Sequence, residues 1–475
     1  MDNTGYTPEE PIAAVATALA PAALGIIRVS GKNSIQLLSK IFSRPKALNA
    51  AAGNTIVYGW IVEGSQDQKA ARVDEVLVSV FRAPKSFTGE EMAEISCHGG
   101  TAVVTKIFNL LLQNGFRQAE RGEFTFRAFI NGKADLTKAE AVREIIESRT
   151  GASSQKAAGR LAGNLSQEIE RVQKSLIDTL AQIEVEIEYP EDEETIADAY
   201  DQTKLLEAIA ALERLAHTWK SEKLYQEGAR LVLCGKTNAG KSSLFNCLLK
   251  EERAIVSDIE GTTRDWIESW ISIDGIPARL FDTAGLRSTS DEIEARGVES
   301  AKELSDEADL LLYLADVTLP KDQIDLAFLA ERKEPVIFVW NKLDKLPQGQ
   351  KAAISEAQKF YEAASKKIPA LSGQVFVSAK NGGGVKDLVA MAKGLLLKGQ
   401  ETERSQAGLG SERQKRLVES ALESLRHAAA LQKGYSLDAA VQDIEDALDF
   451  LGELTGRVTA DDILDSVFSN FCVGK

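Results

Sequence analysis

Residues 235–242 read GKTNAGKS, and this segment constrains the fold of the chain more than any other. It fits the pattern GxxxxGK followed by Ser or Thr, and it lies between a strand-like run, ARLVLC, and an amphipathic run, SSLFNCLL. In such a loop the backbone N–H groups surround phosphate oxygens at the N-terminus of a helix. Lys241 would neutralise the β- and γ-phosphates, and Ser242 would ligate Mg²⁺. The sequence therefore predicts a nucleotide-binding α/β domain.

Two further motifs predict how the triphosphate and its metal are held. Asp282 opens DTAG at the end of a predicted strand, where its carboxylate would lie beside Mg²⁺ and Gly285 would offer an N–H group to the γ-phosphate. Upstream, GTTRD at residues 261–265 supplies Thr263 as a second hydroxyl ligand of the metal. Because Thr263 reaches the metal only when the γ-phosphate is present, its loop is predicted to order and disorder with the nucleotide.

The base is predicted to be guanine. NKLD at residues 341–344 follows the apolar run PVIFVW, and Asp344 can accept both the N1–H and the exocyclic 2-amino group of guanine. SAK at residues 378–380 can supply a backbone N–H to the guanine oxygen. Adenine lacks the 2-amino group and has a lone pair at N1, so it would leave these acceptors unpaired at a cost of several kcal/mol, on the order of 2–5.

The residues that would catalyse GTP hydrolysis are harder to identify from the sequence than those that would bind the nucleotide. The position after DTAG holds Leu286, where many signalling GTPases have a glutamine that orients the attacking water. Arg264 and Arg287 are candidates for stabilising the developing charge, with solvated switch-loop arginines as the alternative. The amide oxygen of Asn238 could help to bind a monovalent cation in place of an arginine, or it could make a hydrogen bond of the Asx-turn type.

Composition and hydrophobic patterning predict a multidomain cytoplasmic protein with no membrane insertion. A chain of 475 residues is too long to fold around a single hydrophobic core. Its apolar fraction is 44%, and no apolar run approaches the roughly 18–20 residues of a membrane span. Cys97, Cys234, Cys247 and Cys472 are scattered, as in a reducing compartment. The net charge of −15 argues against indiscriminate nucleic-acid binding.

The pattern along the chain predicts α+β, helical and α/β parts. Residues 1–131 mix short strand-like runs (25–30, 55–62, 73–81 and 92–97) with one helix near 101–114, which is typical of an α+β domain. Apolar residues then recur at helical spacing, first in 132–227 and again in 401–475. A lone helix cannot bury its own apolar stripe, so these two segments are predicted to form one discontinuous helical domain. A doubly wound, Ras-like P-loop GTPase domain at 228–400 would be inserted between them, although two separate helical modules remain an alternative.

Several blocks, most of them outside the nucleotide motifs, are similar to one known family. They include SFTGEEMAEISCHGG, RGEFTFRAFINGKADLTKAEAV, DTAGLRSTSDEIEARGVES and the terminal FCVGK. With these blocks the chain resembles, from end to end, the tRNA-modification GTPases of the MnmE (TrmE) family. The block before GIIRVSG differs, because ALAPAAL stands where the family usually has a Gly-rich stretch. That difference is expected to change the local shape of the ligand site that the resemblance implies for the N-terminal domain.

The resemblance implies a potassium-dependent GTPase that is activated when the GTPase domains of two protomers meet. One K⁺ per subunit would be held by Asn238, Thr262 and the carbonyls of Ser257 and Ile259. Glu294 would orient the attacking water, although the sequence alone indicates a solvated helix face. Catalytic roles are thus predicted for Glu294, Lys241 and Arg264. The predicted GTP contacts are Asn238, Ala239, Gly240, Lys241, Ser242, Ser243, Ser257, Asp258, Ile259, Glu260, Gly261, Thr262, Thr263, Asp282, Thr283, Ala284, Gly285, Asn341, Lys342, Asp344, Ser378, Ala379 and Lys380.

The resemblance also implies an N-terminal domain that dimerises and binds 5-formyl- or 5,10-methylene-tetrahydrofolate. The matching positions are Arg28, Glu94, Lys133 and Lys475, and Cys472 matches a cysteine considered for catalysis. The implied reaction adds a carboxymethylaminomethyl or aminomethyl group at C5 of the wobble uridine (position 34) of certain tRNAs. The implied partners are a second copy of the chain, the flavoprotein MnmG (GidA) in a heterotetramer or larger complex, tRNA and GTP/GDP.

The sequence leaves one competing function, that of a ribosome-assembly GTPase of the Era/Der type. The helix-flanked GTPase domain and the folate-type residues favour the modification enzyme. The tRNA surface is not evident from the residues. A modest basic cluster, with a solvated face as the alternative interpretation, is formed by Arg117, Arg121, Arg127, Lys133, Lys138 and Arg143.

Overall fold

The computed structural model of the chain describes residues 10–64, 71–188, 202–251, 267–282, 307–346, 351–398, 407–430, 437–457 and 461–474. The chain forms two compact units, one of residues 1–143 with 436–475 and one of residues 144–435. Within the described ranges, no helix combines the length and the apolar character that a membrane span requires.

The first unit is built on a six-stranded sheet. The strands lie in the order β3-β4-β5-β2-β1-β6, with all neighbours antiparallel except the parallel pair β1 and β6. Four of them confirm the strand-like runs predicted from the sequence to within two residues. The strands are β1 (Ile12–Val15), β2 (Leu24–Ser30), β3 (Thr55–Glu63), β4 (Ala71–Phe81), β5 (Met92–His98) and β6 (Arg117–Gln118).

Helix side chains join the apolar core on one face of this sheet, and on the other face Phe124 packs with Ile12, Ala14 and Met92. The predicted helix is present as α3 (Thr101–Gln113), and its buried side chains Ile107 and Leu111 join the core of the sheet. The expectation of one helix was incomplete, because segments of five to eight residues carry too little periodicity to detect. The other helices are α1 (Ser34–Leu38), α2 (Pro45–Ala50), α4 (Glu123–Ile130), α14 (Leu437–Thr455) and α15 (Asp461–Phe468), and α5 (Leu136–Glu147) contains the boundary between the units.

The second unit begins and ends with helices. These are α6 (Gly151–Leu161), α7 (Asn164–Glu188), α8 (Gln202–Glu227) and, after the α/β part, α13 (Glu412–Ala430). The apolar stripe predicted for α7 is buried at Leu165, Ile169 and Leu176. Helix α13 packs along α8, and the N–H group of Leu409 donates to the hydroxyl of Thr218. This packing is what the predicted discontinuous helical domain requires, while its boundaries stay predictions.

Between these helices lies a second six-stranded sheet in the order β12-β11-β10-β7-β9-β8. Its strands are parallel except for the edge pair β8 and β9. Separate apolar clusters fill its two faces, as expected of a doubly wound sheet. The strands are β7 (Ala229–Cys234), β8 (Ile267–Ile273), β9 (Ile276–Asp282), β10 (Leu310–Asp316), β11 (Val336–Asn341) and β12 (Leu371–Phe376). The helices are α9 (Lys241–Glu251), α10 (Leu326–Ala330), α11 (Lys351–Ser365) and α12 (Val385–Leu397).

Candidate functional site

The glycine-rich loop joins the end of β7 to the start of α9, as the sequence predicts. Gly235 has φ +126°, and a Cβ there would lie 2.3 Å from the carbonyl oxygen of Leu314, so no larger residue fits. The Lys241 side chain folds back over the loop, and its Nζ donates to the carbonyl oxygens of Gly235 (2.7 Å) and Lys236 (3.0 Å). The ammonium is therefore held against the loop that is expected to receive the phosphates.

Two oxygen donors meet at the predicted metal site. The hydroxyl of Ser242, in the first turn of α9, donates to Oδ2 of Asp282, at the end of β9, across 2.7 Å. Asp282 is almost fully buried. A hydroxyl beside a carboxylate matches the all-oxygen coordination that Mg²⁺ prefers, so the residues present fit this ion.

Asn341 links the loop to the base-recognition motifs. Its Nδ2 donates to the carbonyl of Ala239 (2.9 Å), and its Oδ1 accepts the N–H group of Ala379 (3.1 Å). A Cβ on Gly240, which has φ +100°, would lie 2.2 Å from that Nδ2. One buried amide thus holds the phosphate loop against the segment that contains Ala379.

Asp344 is exposed at the predicted guanine site. The hydroxyl of Ser378 donates to Asp344 Oδ1 across 2.6 Å and holds the pKa of this carboxyl below its usual range. The carboxylate is therefore ionised at neutral pH, as an acceptor of two guanine donors must be. The neighbouring Lys342 has φ 66°, and its ammonium pairs with Asp316 Oδ2 at 2.8 Å.

Asn238 lies exposed in the glycine-rich loop with φ 60°. The alternative interpretation was an Asx-type turn, but with the residues that the structure describes, the Asn238 side chain makes no hydrogen bond. The other loop positions Ala239 and Ser243 follow in sequence, with Ala239 buried. Lys380 lies near enough to Asp344 to contribute to its lowered pKa.

Several predicted residues lie outside the described ranges. They belong to the first switch segment, to DTAG after its aspartate and the segment that follows it, and to the C-terminus. These residues are Ser257, Asp258, Ile259, Glu260, Gly261, Thr262, Thr263, Arg264, Thr283, Ala284, Gly285, Leu286, Arg287, Glu294 and Lys475.

In the first unit, Arg28 and Glu94 lie together at the predicted folate site. Arg28 Nε pairs with Glu94 Oε1 at 3.0 Å across neighbouring strands β2 and β5. The guanidinium lies between two rings, 5.0 Å from the centre of Phe87 and 5.2 Å from that of Phe124. Its NH1 donates to the carbonyl of Gly474. Burial lowers the pKa of Arg28, and the charge of Glu94 opposes that shift.

The C-terminal tail thus reaches the site formed by residues early in the chain. The N–H group of Gly122 donates to the carbonyl of Cys472, and a short antiparallel bridge joins Arg121 to Val473. The thiol of Cys472 is exposed. Lys133 Nζ donates to the carbonyl of Pro84, at the start of the loop that contains Phe87.

The sequence did not predict the buried ionic network behind this loop. Arg127 is fully buried and donates to Glu90, to Glu123 and to the carbonyl of Glu10. Glu90 also accepts the hydroxyl of Ser30. The placement of Arg127 in a surface basic cluster was therefore wrong, since a charged residue in a sequence usually indicates an exposed position. No local pattern reveals that this one is inside.

Comparisons with known proteins cover almost the whole chain. The family model described as "GTP-binding protein TrmE N-terminus" matches residues 11–133, and "MnmE helical domain" matches residues 136–472. The tRNA modification GTPase MnmE of Treponema denticola is 52% identical over 99% of both chains. That of Carboxydothermus hydrogenoformans is 41% identical over 98% of this chain and all of its own.

Similarity to solved structures covers less of the chain. Era in complex with MgGDPNP and nucleotides 1506–1542 of 16S ribosomal RNA is 27% identical and covers 44% of this chain and 69% of its own, with a TM-score of 0.29. Such a score carries no argument about the whole fold. The curated relatives, in contrast, align from one end to the other. The chain belongs to the MnmE (TrmE) family of tRNA modification GTPases.

Proposed function

We propose that this protein hydrolyses GTP to GDP and phosphate in order to drive the modification of tRNA at C5 of the wobble uridine. The observation that carries the proposal is the meeting of phosphate loop, metal donors and guanine-recognition motif around the carboxyl ends of β7, β9 and β11. The family membership supplies tRNA as the class of substrate. The group added would be carboxymethylaminomethyl or aminomethyl, with MnmG as the flavoprotein partner.

Support for the proposed metal site comes from the contact between Ser242 and Asp282, while Thr263 lies outside the described residues. Mg²⁺ would be held by Ser242 and, on binding of the γ-phosphate, by Thr263, with Asp282 beside it. When bound, Mg²⁺ neutralises charge on the β- and γ-phosphate oxygens. Lys241 would contact the same oxygens, while Asp344 selects guanine.

A potassium ion is proposed to supply the positive charge that an arginine finger supplies elsewhere. The exposed amide of Asn238, which makes no hydrogen bond with described residues, supports this role. Ser257, Ile259 and Thr262 would complete the coordination. Glu294 is proposed to orient the attacking water, because Leu286 cannot do so, and Arg264 is proposed to assist in stabilising charge.

The first unit is proposed to bind a reduced folate that supplies the one-carbon unit. Glu94 keeps about a third of its side chain exposed beside the buried Arg28, so its carboxylate can face the donor groups of a pterin. Phe87, which lies beside Arg28 and is 37% exposed, offers an aromatic surface to a planar ring. Lys133 and Lys475 would bind the anionic glutamate tail of the folate. Cys472 is exposed in the same C-terminal segment of the chain as Lys475.

We propose that two copies of the chain associate through the exposed side chains of β3 and β4. Tyr58 on β3 and Leu77 on β4 are directly opposite in register and are each about half exposed, and Ile56 is 66% exposed. Adjacent exposed apolar side chains on a sheet are typical of an association surface. A homodimer would cover them and would also bring two GTPase domains into one assembly.

Mass analysis of wobble nucleosides tests the function. Cells that lack this chain should lose the modified wobble uridine, and a gene encoding the Lys241→Ala variant should fail to restore it. Normal wobble nucleosides together with defective ribosomal subunits would contradict the proposal and favour the Era/Der-type function.

A further inference from the structure

A cleft of about 1200 Å³ lies in the second unit, away from the nucleotide site. It is bordered by Arg230 and Pro335, which stand at the starts of β7 and β11, and by the last residues of α8 and α12. The phosphate loop follows the opposite end of β7. At about 3.3 Å per residue, the six residues of this strand separate the two regions by roughly 20 Å.

One wall of the cleft contains an indole ring with two guanidinium groups over it. The guanidinium carbon of Arg149 lies 3.9 Å from the centre of the Trp270 ring, and that of Arg279 lies 4.8 Å from it. Burial and the nearby charge of Arg279 lower the pKa of Arg149. Two guanidinium groups in one wall of a cleft favour an anion beside them.

The basic residues of the lining outnumber the acidic ones by six to four, although the whole chain carries −15. Three of the acidic groups are already engaged. Glu307 pairs with Arg230, Asp309 accepts the Arg230 backbone N–H, and Glu227 lies 3.6 Å from Lys223. The six basic residues are Arg149, Lys220, Lys223, Arg230, Arg279 and Lys398, and the four acidic residues are Glu147, Glu227, Glu307 and Asp309.

Arg149, Lys220 and Lys398 have no ion pair with any residue that the structure describes. Lys220 and Lys398 are exposed, the first about two turns before the end of α8 and the second just after α12. These three cations thus line a concave surface without an ion pair of their own, and Glu147 and Glu268 act on Arg149 only through longer-range charge. Cations held in a groove raise the local concentration of a polyanion.

The basic cluster of the first unit is a weaker candidate for such a polyanion. Arg127 is buried, Arg117 pairs with Glu10 and Glu123, and Lys138 lies 3.7 Å from Asp135. These cations are buried or paired with carboxylates of their own unit. In the cleft, by contrast, Arg149, Lys220 and Lys398 have no ion pair with any described residue.

We propose that this cleft binds the phosphate backbone of the RNA on which the enzyme acts. The inference rests on the proposed function only in that RNA is the substrate. Arg149, Lys220 and Lys398 would contact phosphates, and the contacts of Arg149 and Arg279 with the Trp270 ring would keep the wall of the cleft rigid. No base is read by these contacts, because phosphates carry no sequence information.

The test uses the full-length Lys220→Gln/Lys398→Gln variant and measures its affinity for tRNA between 50 and 200 mM salt. Each lost phosphate contact should reduce the slope of log affinity against log salt by about 0.7–0.9, or about 1.5 for the pair. At 0.1 M salt the affinity should fall about 30-fold. The matched control is Lys351→Gln/Lys359→Gln, which removes two exposed lysines of α11 that do not line the cleft.

GTP hydrolysis without RNA should be unchanged in both variants, since neither alters the nucleotide site. Equal slopes for the two variants and the unmodified protein would overturn the proposal, as would an equal reduction in both variants. This outcome is distinct from failure of the proposed function. Loss of tRNA affinity in the cleft variant, with normal wobble nucleosides in cells lacking the chain, would retain the cleft and reject the modification activity.

Discussion

Glu222 on α8 is the centre of a buried ionic cluster, and replacing it by glutamine tests how the second unit is held together. Its carboxylate is 1% exposed, and Oε1 accepts from Lys156 Nζ at 2.5 Å while Oε2 accepts from Arg160 NH1 at 2.7 Å. Arg160 also pairs with Glu144. The returning chain passes over this cluster at Gly408, where a Cβ would lie 3.0 Å from Glu222.

Glu222→Gln keeps the shape of the side chain but removes an acceptor from a cation. Whichever way the amide is turned, its NH₂ group faces either Lys156 or Arg160. Breaking a buried pair in this manner costs about 3–5 kcal/mol. For a unit of this size each kcal/mol lowers the Tm by about 2 °C, so we expect a fall of about 6–10 °C.

Differential scanning calorimetry measures this change, with Glu213→Gln as the matched control. Glu213 forms an exposed pair with Arg426 and should cost under about 1 kcal/mol, or under about 2 °C. Adding Lys156→Met to Glu222→Gln should recover part of the loss, because the amide oxygen can then face Arg160. Equal shifts for Glu222→Gln and Glu213→Gln, or strict additivity in the double variant, would refute the reasoning.

Three further predictions concern the nucleotide site. GTP turnover should rise when Na⁺ is replaced by K⁺, and Asn238→Ala should abolish that difference; equal turnover of the unmodified protein in both salts would reject the cation site. Glu294→Ala should lower kcat by about 10²-fold with nucleotide affinity nearly intact, as single-turnover kinetics can show, whereas loss of binding would assign it a structural role. Asp344→Asn should weaken GTP binding at least about 100-fold in a titration, because two charge-assisted hydrogen bonds are worth about 1.5–3 kcal/mol each, and an unchanged Kd would contradict guanine recognition.

The sequence allowed prediction of those elements whose residues repeat at a regular spacing. Strands β2–β5 and helix α3 were predicted to within two residues, because alternation and helical periodicity extend over enough positions to be distinctive. The same periodicity predicted apolar stripes in the helical segments that are longer than the faces that are buried. Leu161 and Leu206 lie at the helical spacing of these predicted stripes but are 39% and 53% exposed, because spacing identifies a helix face without showing where the neighbouring helix ends.

The N-terminal site could be predicted only through family resemblance. Arg28 and Gly474 are separated by 446 positions, and no local pattern shows that the tail reaches the guanidinium. Phe87 lies within SFTGEEMAEISCHGG, but its position beside Arg28 could not be predicted, because an isolated aromatic residue more often indicates core packing. Arg149 and Trp270 were missed for a related reason, as their contact joins the helical part to an edge strand of the sheet.

Asn341 explains why the nucleotide motifs have to occur together. In NKLD the aspartate is the residue predicted to face the base, whereas the asparagine is buried and bonded on one side to Ala239 and on the other to Ala379. Its amide occupies the space that a Cβ on Gly240 would fill, so the glycine of the phosphate loop is required by the base-recognition motif as well as by its own φ. A change in any one of these three segments therefore alters the position of the other two. For this reason the order of the motifs along the chain indicated GTP more strongly than any single motif could.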